Sequence, residues 1–235
     1  MPKHADIPLR RVIYDLGASN GDDILYYLKK ADCVIAVEAN PVLAKQIEHR
    51  FADEIAAGRL FVENRVIVAG DEGAQVPFYV HRGSHVLSQF PKPENLDAFD
   101  TVELPSISIG ELIGRHGPPY YIKIDLEHYD AKVLRALFAA DIYPPYLSAE
   151  SHHIDVFALL VAQGGYRAFK LVDGHSVSTL YETTRYKPDR GLGSITVFPS
   201  IPRVRSVTTF LKHGSHRNSS FACLRSRGLA GKIFM

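Results

Sequence analysis

Cysteine, tryptophan and net charge are all scarce in this chain. Two cysteines in 235 residues, Cys33 and Cys223, give neither a disulfide framework nor the paired spacing of a zinc site. Cys33 sits in an apolar run and reads as a small buried hydrophobe. No run of about 20 apolar residues occurs, so no membrane-spanning helix is expected. The first residues lack the apolar core of a secretion signal, and a cytoplasmic protein is the expectation. Formal net charge is only +1, with 46% hydrophobic and 23% charged residues, as in a globular domain. The charge is unevenly spread. From Arg203 onward there are seven Lys/Arg and no acid, which leaves 20 basic against 26 acidic residues before it. An acidic body with a basic end is not the profile of a dedicated nucleic-acid binder, so neither nucleic acid nor membrane is expected as a partner.

What is present is a regular alternation. Apolar, β-branched runs at 11–15, 33–38, 60–70, 76–81, 120–126, 145–150, 166–172 and 194–199 read as strands, and 101–109 as a short extended piece. Between them, residues 22–30, 41–57, 130–140 and 154–163 carry apolar side chains at helical spacing. Asn40 followed by Pro41 is a helix start, and Gly58 a stop. Alternating strands and helices predict an α/β protein with a doubly wound, mostly parallel sheet, and the last two strands are close enough to pair antiparallel. Residues 1–200 are expected to form the domain, and 201–235 a basic, loosely attached extension. Residues 82–100 form a long polar loop suited to a lid.

The stretch "VIYDLGASNGDD" (12–23) carries the chemistry. A dinucleotide turn has the pattern G-x-G-x-x-G, which lets a pyrophosphate rest on a helix N-terminus. Here Gly17 and Gly21 remain and the middle glycine is missing. Asp15, Asp22 and Asp23 surround the turn, and carboxylates oppose a phosphate. A cationic nucleoside without phosphate suits it better, and S-adenosylmethionine (SAM) is one. Glu38 lies 21 residues after Gly17, where an acid can accept both ribose hydroxyls.

Five stretches together resemble the FkbM-type SAM-dependent methyltransferases: "DLGASNGDD" (15–23), "VEANP" (37–41), "YIKIDLEHYDAKVL" (121–134), "YLSAESHH" (146–153) and "GGYRAF" (164–169). The resemblance implies a Rossmann-like sheet of about seven strands and methyl transfer, usually to oxygen. It assigns Asp15, Gly17, Ser19, Asn20, Gly21 and Glu38 to the SAM site, and Asp125 to the neighbourhood of the reacting methyl group. The chain departs from the family pattern at His128, where glycine is usual, and at Asp130, where glutamate is. A hydroxyl acceptor must lose a proton, and histidine titrates near neutral pH. His128 is therefore the first expected base and His152 the second, with Asp125 beside them. No fixed metal-ligand spacing is present. The acceptor is expected to be a small molecule or a saccharide. Two other readings stay open: a SAM-binding protein without turnover, and an NAD-type oxidoreductase.

Overall fold

The computed structural model describes residues 10–170, apart from 71 and 152, and the backbone of 233 and 234. The strands of the main sheet are β1 (Val12–Leu16), β2 (Cys33–Val37), β3 (Leu60–Glu63), β7 (Tyr121–Ile124), β8 (Tyr146–Ser151) and β9 (Ile233–Phe234). They stand in the order β3-β2-β1-β7-β8-β9. The first five run parallel, and β9 pairs antiparallel with β8. Helices α1 (Ile24–Leu28), α2 (Pro41–Arg50) and α3 (Ala52–Ala56) belong to the first half. Helices α4 (Ile109–His116), α5 (Asp130–Ala139) and α6 (Ile154–Ala162) belong to the second.

The continuous apolar runs have a simple cause, because the sheet is covered on both faces. In β1, Val12, Tyr14 and Leu16 join one core with α4, α5 and α6, while Ile13 joins another with α1 and α2. In β2, Cys33, Ile35 and Val37 take the first side, and Val34 and Ala36 the second. Each fully buried Ile or Leu contributes roughly 1.5–3 kcal/mol, so these short strands anchor the fold. Asn40 caps α2 by accepting the Val42 N–H at 3.0 Å.

Three expectations need correction. The expected strand region 60–70 is two strands in different sheets. After Glu63 the chain turns at Asn64–Arg65 and enters β4 (Val66–Val68), which pairs with β6 (Phe99–Ser108) beside β5 (Gln75–His81). Strands β4, β6 and β5 thus form a separate sheet with its own apolar cluster, and among the described residues the main sheet has six strands, against about seven expected. The short extended piece near 101–109 is a ten-residue strand, because β5 pairs along seven of its positions. The helix expected over 41–57 breaks at Phe51, whose ψ of 29° ends α2 and begins α3.

Of the expected strand 166–172, residues 166–170 are described, and there Ala168 makes a single β-bridge. The expected strand 194–199 and the extension 201–235 lie outside the described residues, except for β9. Among the described residues no helix is long and apolar enough to cross a membrane.

Candidate cofactor and methyl-transfer site

A cavity of about 430 Å³ opens at the C-terminal ends of β1, β2, β7 and β8, where ligands bind in open α/β sheets. The turn after β1 makes one wall. Gly17 and Ala18 both donate backbone N–H bonds to the Val37 carbonyl at 3.0 Å, which ties the turn to the end of β2. Gly17 has φ +82°, and a Cβ there would stand 2.0 Å from the Asp125 carbonyl oxygen. The turn is therefore wedged between two strand ends.

Glu38 lies just past β2. Its carboxylate accepts the Ser19 N–H and the Asn40 N–H, both at 2.7 Å, one on each oxygen. Asn64 donates its side-chain amide to the Glu38 and Ala39 carbonyls at 2.8 and 2.9 Å. Burial pushes the Glu38 carboxyl up to about 7, against the lowering effect of its two backbone donors and Lys123. Its folded value exceeds the unfolded one, so its stabilisation is complete below about 4.5 and is lost as pH rises through about 7. At this shift the loss is on the order of 3 kcal/mol. Urea unfolding at pH 5, 6 and 7 should show falling stability, with a shallower slope in Glu38→Gln. An equal slope in that variant would assign the titration to another group.

Lys123 is the functional residue that sequence reasoning missed. Its ammonium is buried and meets Asp15 at 3.1 Å, Asp125 at 3.5 Å, Asp23 at 3.9 Å and the Gly17 carbonyl at 3.2 Å. Burial alone would lower its pKa; the three carboxylates outweigh that and hold it above its ordinary value. A signal was present, since a lysine inside "YIKIDL" cannot stay buried without a partner. The partner is the cross-strand neighbour, for Asp15 and Lys123 are in register.

Gly17, Ser19, Asn20, Glu38 and Asp125 line the cavity. Asp15 does not; it is fully buried beneath the wall and held by Lys123. Gly21 packs against Ile24, Ile47 and Phe51 instead. Asp125 is 24% exposed, and Glu150 of the adjacent β8 also lines the cavity. Six acidic residues line the space, Asp22, Asp23, Glu38, Asp125, Glu127 and Glu150, against the cations Arg65 and Lys123. Among the described residues no group of His, Cys, Asp and Glu is arranged to hold a metal ion.

His128 is not part of the wall. It is exposed, and its ring lies 6.2 Å from that of His153. The cause is local: Glu127 and His128 have φ of +41° and +68°, which swings the chain away after β7. His152 lies outside the described residues. The left-handed φ explains why glycine suits position 128. An L side chain there costs about 1–2 kcal/mol, partly offset by the chain entropy of a glycine. His128→Gly should therefore raise stability by about 0.5–1 kcal/mol and leave cofactor affinity unchanged. A urea midpoint that falls would show that the imidazole contributes more than its backbone costs.

The loop 82–100 covers the opposite side. Its Ser84–Phe90 portion lines the cavity. Gln89 exchanges two backbone hydrogen bonds with Tyr79 of β5, at 3.0 and 2.9 Å. The Phe90 ring meets that of Tyr129 edge-on at 5.1 Å. Tyr129, at the start of α5, donates to Glu72 and accepts the Ala69 N–H at 3.2 Å, which joins the two sheets.

Comparison with known proteins adds the family. No curated protein matches the chain. Among solved structures, the chain is similar to a methyltransferase FkbM from Methylobacillus flagellatus, at 16% identity and a TM-score of 0.46, over 87% of this chain and 43% of that one. It is also similar to a precorrin-6y C5,15-methyltransferase from Geobacter metallireducens, at 10% identity and a TM-score of 0.41, over 86% of this chain and 78% of that one. A SAM-dependent O-methyltransferase from Thermotoga maritima matches at 11% identity and a TM-score of 0.37, over 89% and 61%. This chain thus spans less than half of the Methylobacillus protein. The model of the methyltransferase FkbM domain matches residues 15–168, from the acid at the end of β1 to beyond α6, and the chain belongs to that family.

Proposed function

We propose that the protein is a SAM-dependent methyltransferase that methylates a hydroxyl on a small molecule or a sugar. The observation that carries this reading is the acid-lined cavity beside a glycine turn, with Glu38 braced at the end of β2. A sulfonium nucleoside fits this donor set. Each Glu38 oxygen accepts one backbone N–H, which leaves acceptor capacity for one ribose hydroxyl apiece. The absence of a side chain at Gly17 lets the turn approach closely. The excess of carboxylates suits a cation and opposes a pyrophosphate, which disfavours an NAD-type ligand.

When bound, SAM supplies an electrophilic methyl group. The chain's own part is to align and to exclude water. Glu38 and the turn orient the nucleoside, and the loop around Phe90 shields the opposite side. A cytoplasmic setting goes with this activity and with the lack of a disulfide framework.

Calorimetry with SAM, S-adenosylhomocysteine (SAH) and NAD tests the reading. SAM and SAH should bind and NAD should not. Glu38→Ala should weaken SAM by about 1.5–3 kcal/mol, the usual loss for hydrogen bonds to a charged group. NAD binding with no SAM binding would replace the proposal with an oxidoreductase.

A further inference from the structure

The strand order sets a direction along the cavity. A nucleoside held by Glu38 at β2 lies across β1, and its other end reaches β7, roughly 10 Å away at two strand spacings. At that end stand Asp125, just past β7, and Glu150, in the adjacent β8. They stand one position past the in-register pair Ile124–Ala149, so their side chains leave the same face of the sheet side by side, and both line the cavity. Two carboxyls so placed favour holding one proton between them. Resting on the cofactor reading above, we infer that Asp125 and Glu150 act as one proton-sharing pair, which ionises when the sulfonium charge arrives and takes the acceptor's proton when that charge is lost.

The surroundings explain why the pair holds its proton beforehand. Glu150 is buried, and Asp130 of α5 accepts its backbone N–H at 3.0 Å. Glu127, Asp23 and Glu38 add further negative charge around the cavity. Lys123 is the nearby cation, but it serves Asp15, Asp23 and Asp125 together. Arg65 is engaged by Glu63 at 3.3 Å. Tyr129 directs its hydroxyl to Glu72, and His85 belongs to the loop side. Burial, with Glu150 and Asp130 adding to it against Lys123, pushes the Asp125 carboxyl up to about 8.

A cation entering this space favours the ionised pair. In the transfer, the acceptor's O–H bond breaks and its proton passes to the pair. The oxygen bonds to the methyl carbon, and the carbon–sulfur electron pair remains on sulfur as a neutral thioether. The pair carries −2 beside the sulfonium and −1 beside the neutral thioether, so the net charge of cofactor and pair is the same before and after the step, and no additional charge is buried at the reacting end.

SAM and SAH differ at this end by one methyl group and one charge, so the pair is isolated by their difference. Glu38 meets the ribose of both and cancels. Calorimetry at pH 7 in two buffers of different ionisation enthalpy should show SAM releasing about one proton more than SAH, with the SAH-to-SAM ratio of Kd rising by up to about tenfold per pH unit between about 6 and 8. Asp125→Asn and Glu150→Gln should each remove the difference. In Glu38→Gln both affinities should fall while the difference persists. Equal proton release by the two ligands in the unaltered protein would overturn the inference without any variant, and so would a persisting difference in a folded Asp125→Asn. If neither ligand binds, the cofactor reading fails and this inference with it.

Discussion

Gly17→Ala is expected to lower stability by about 3 kcal/mol and to remove measurable SAM binding. Two costs add. The backbone at this position has φ +82°, where an L side chain costs about 1–2 kcal/mol. The new Cβ would also stand 2.0 Å from the Asp125 carbonyl oxygen. That atom belongs to backbone and cannot rotate aside. Asp125 donates its own N–H to the Leu16 carbonyl at 3.1 Å, so moving it disturbs the β1–β7 pairing. Forced displacement of packed structure costs roughly 1–3 kcal/mol more. Gly58→Ala is the control. It has φ +66° but nothing within 4 Å of the added Cβ, so only the backbone cost of about 1–2 kcal/mol applies. Urea unfolding of both variants and calorimetry with SAM separate the two costs. Equal losses in the two variants would remove the steric argument.

Lys123→Met should cost about 3–5 kcal/mol at pH 7, because it leaves the Asp15 carboxylate buried without its countercharge. Asp15 is fully buried, and among the described residues its second oxygen has no hydrogen-bond partner. Burial already raises its pKa and Lys123 opposes that rise, so removing the lysine raises it further. In the variant, stability should therefore recover as pH falls and Asp15 takes up a proton. In the parent the lysine's stabilisation is complete below about 10.5 and is lost only as pH rises through its higher folded value. Asp15→Asn combined with Lys123→Met should recover part of the loss, since no buried charge is then left unpaired. Unfolding curves at pH 5 and 7 for the single and double variants check this. A loss independent of pH would mean that the lysine stem, not its charge, is what the site needs.

The two variants act on opposite faces of one joint. Gly17 lets β1 and β7 approach, and Lys123 neutralises the acids that the approach crowds together. A cavity rich in acidic residues can exist there because a single ammonium meets Asp23 and Asp125 of its lining and Asp15 beneath it. The remaining excess of negative charge is left for a ligand.

Local chemistry determined much of this from sequence. The runs at 11–15 and 33–38 marked buried strands, since charged residues stand only at their ends. Gly17 with Glu38 marked the turn that lines the cavity, because their spacing reflects one strand, one turn and one helix that are contiguous in the chain. The acids around the turn were legible as well, because charge is read directly from the residues. What only the tertiary structure decided depends on contacts between distant segments. Lys123 found Asp15 across 108 positions, and the pairing exists only because β1 and β7 are neighbours. Strand β4 left the main sheet for β6, which no periodicity within 60–70 could announce. His128 followed the strand expected to end at the site, but two residues with positive φ turned it outward, and a histidine's chemistry says nothing about the direction of its backbone. Asp125 and Glu150 became a pair because their strands are adjacent. Sequence fixes which groups are available. The sheet order fixes which of them meet, and the proton chemistry of this cavity follows from the meeting.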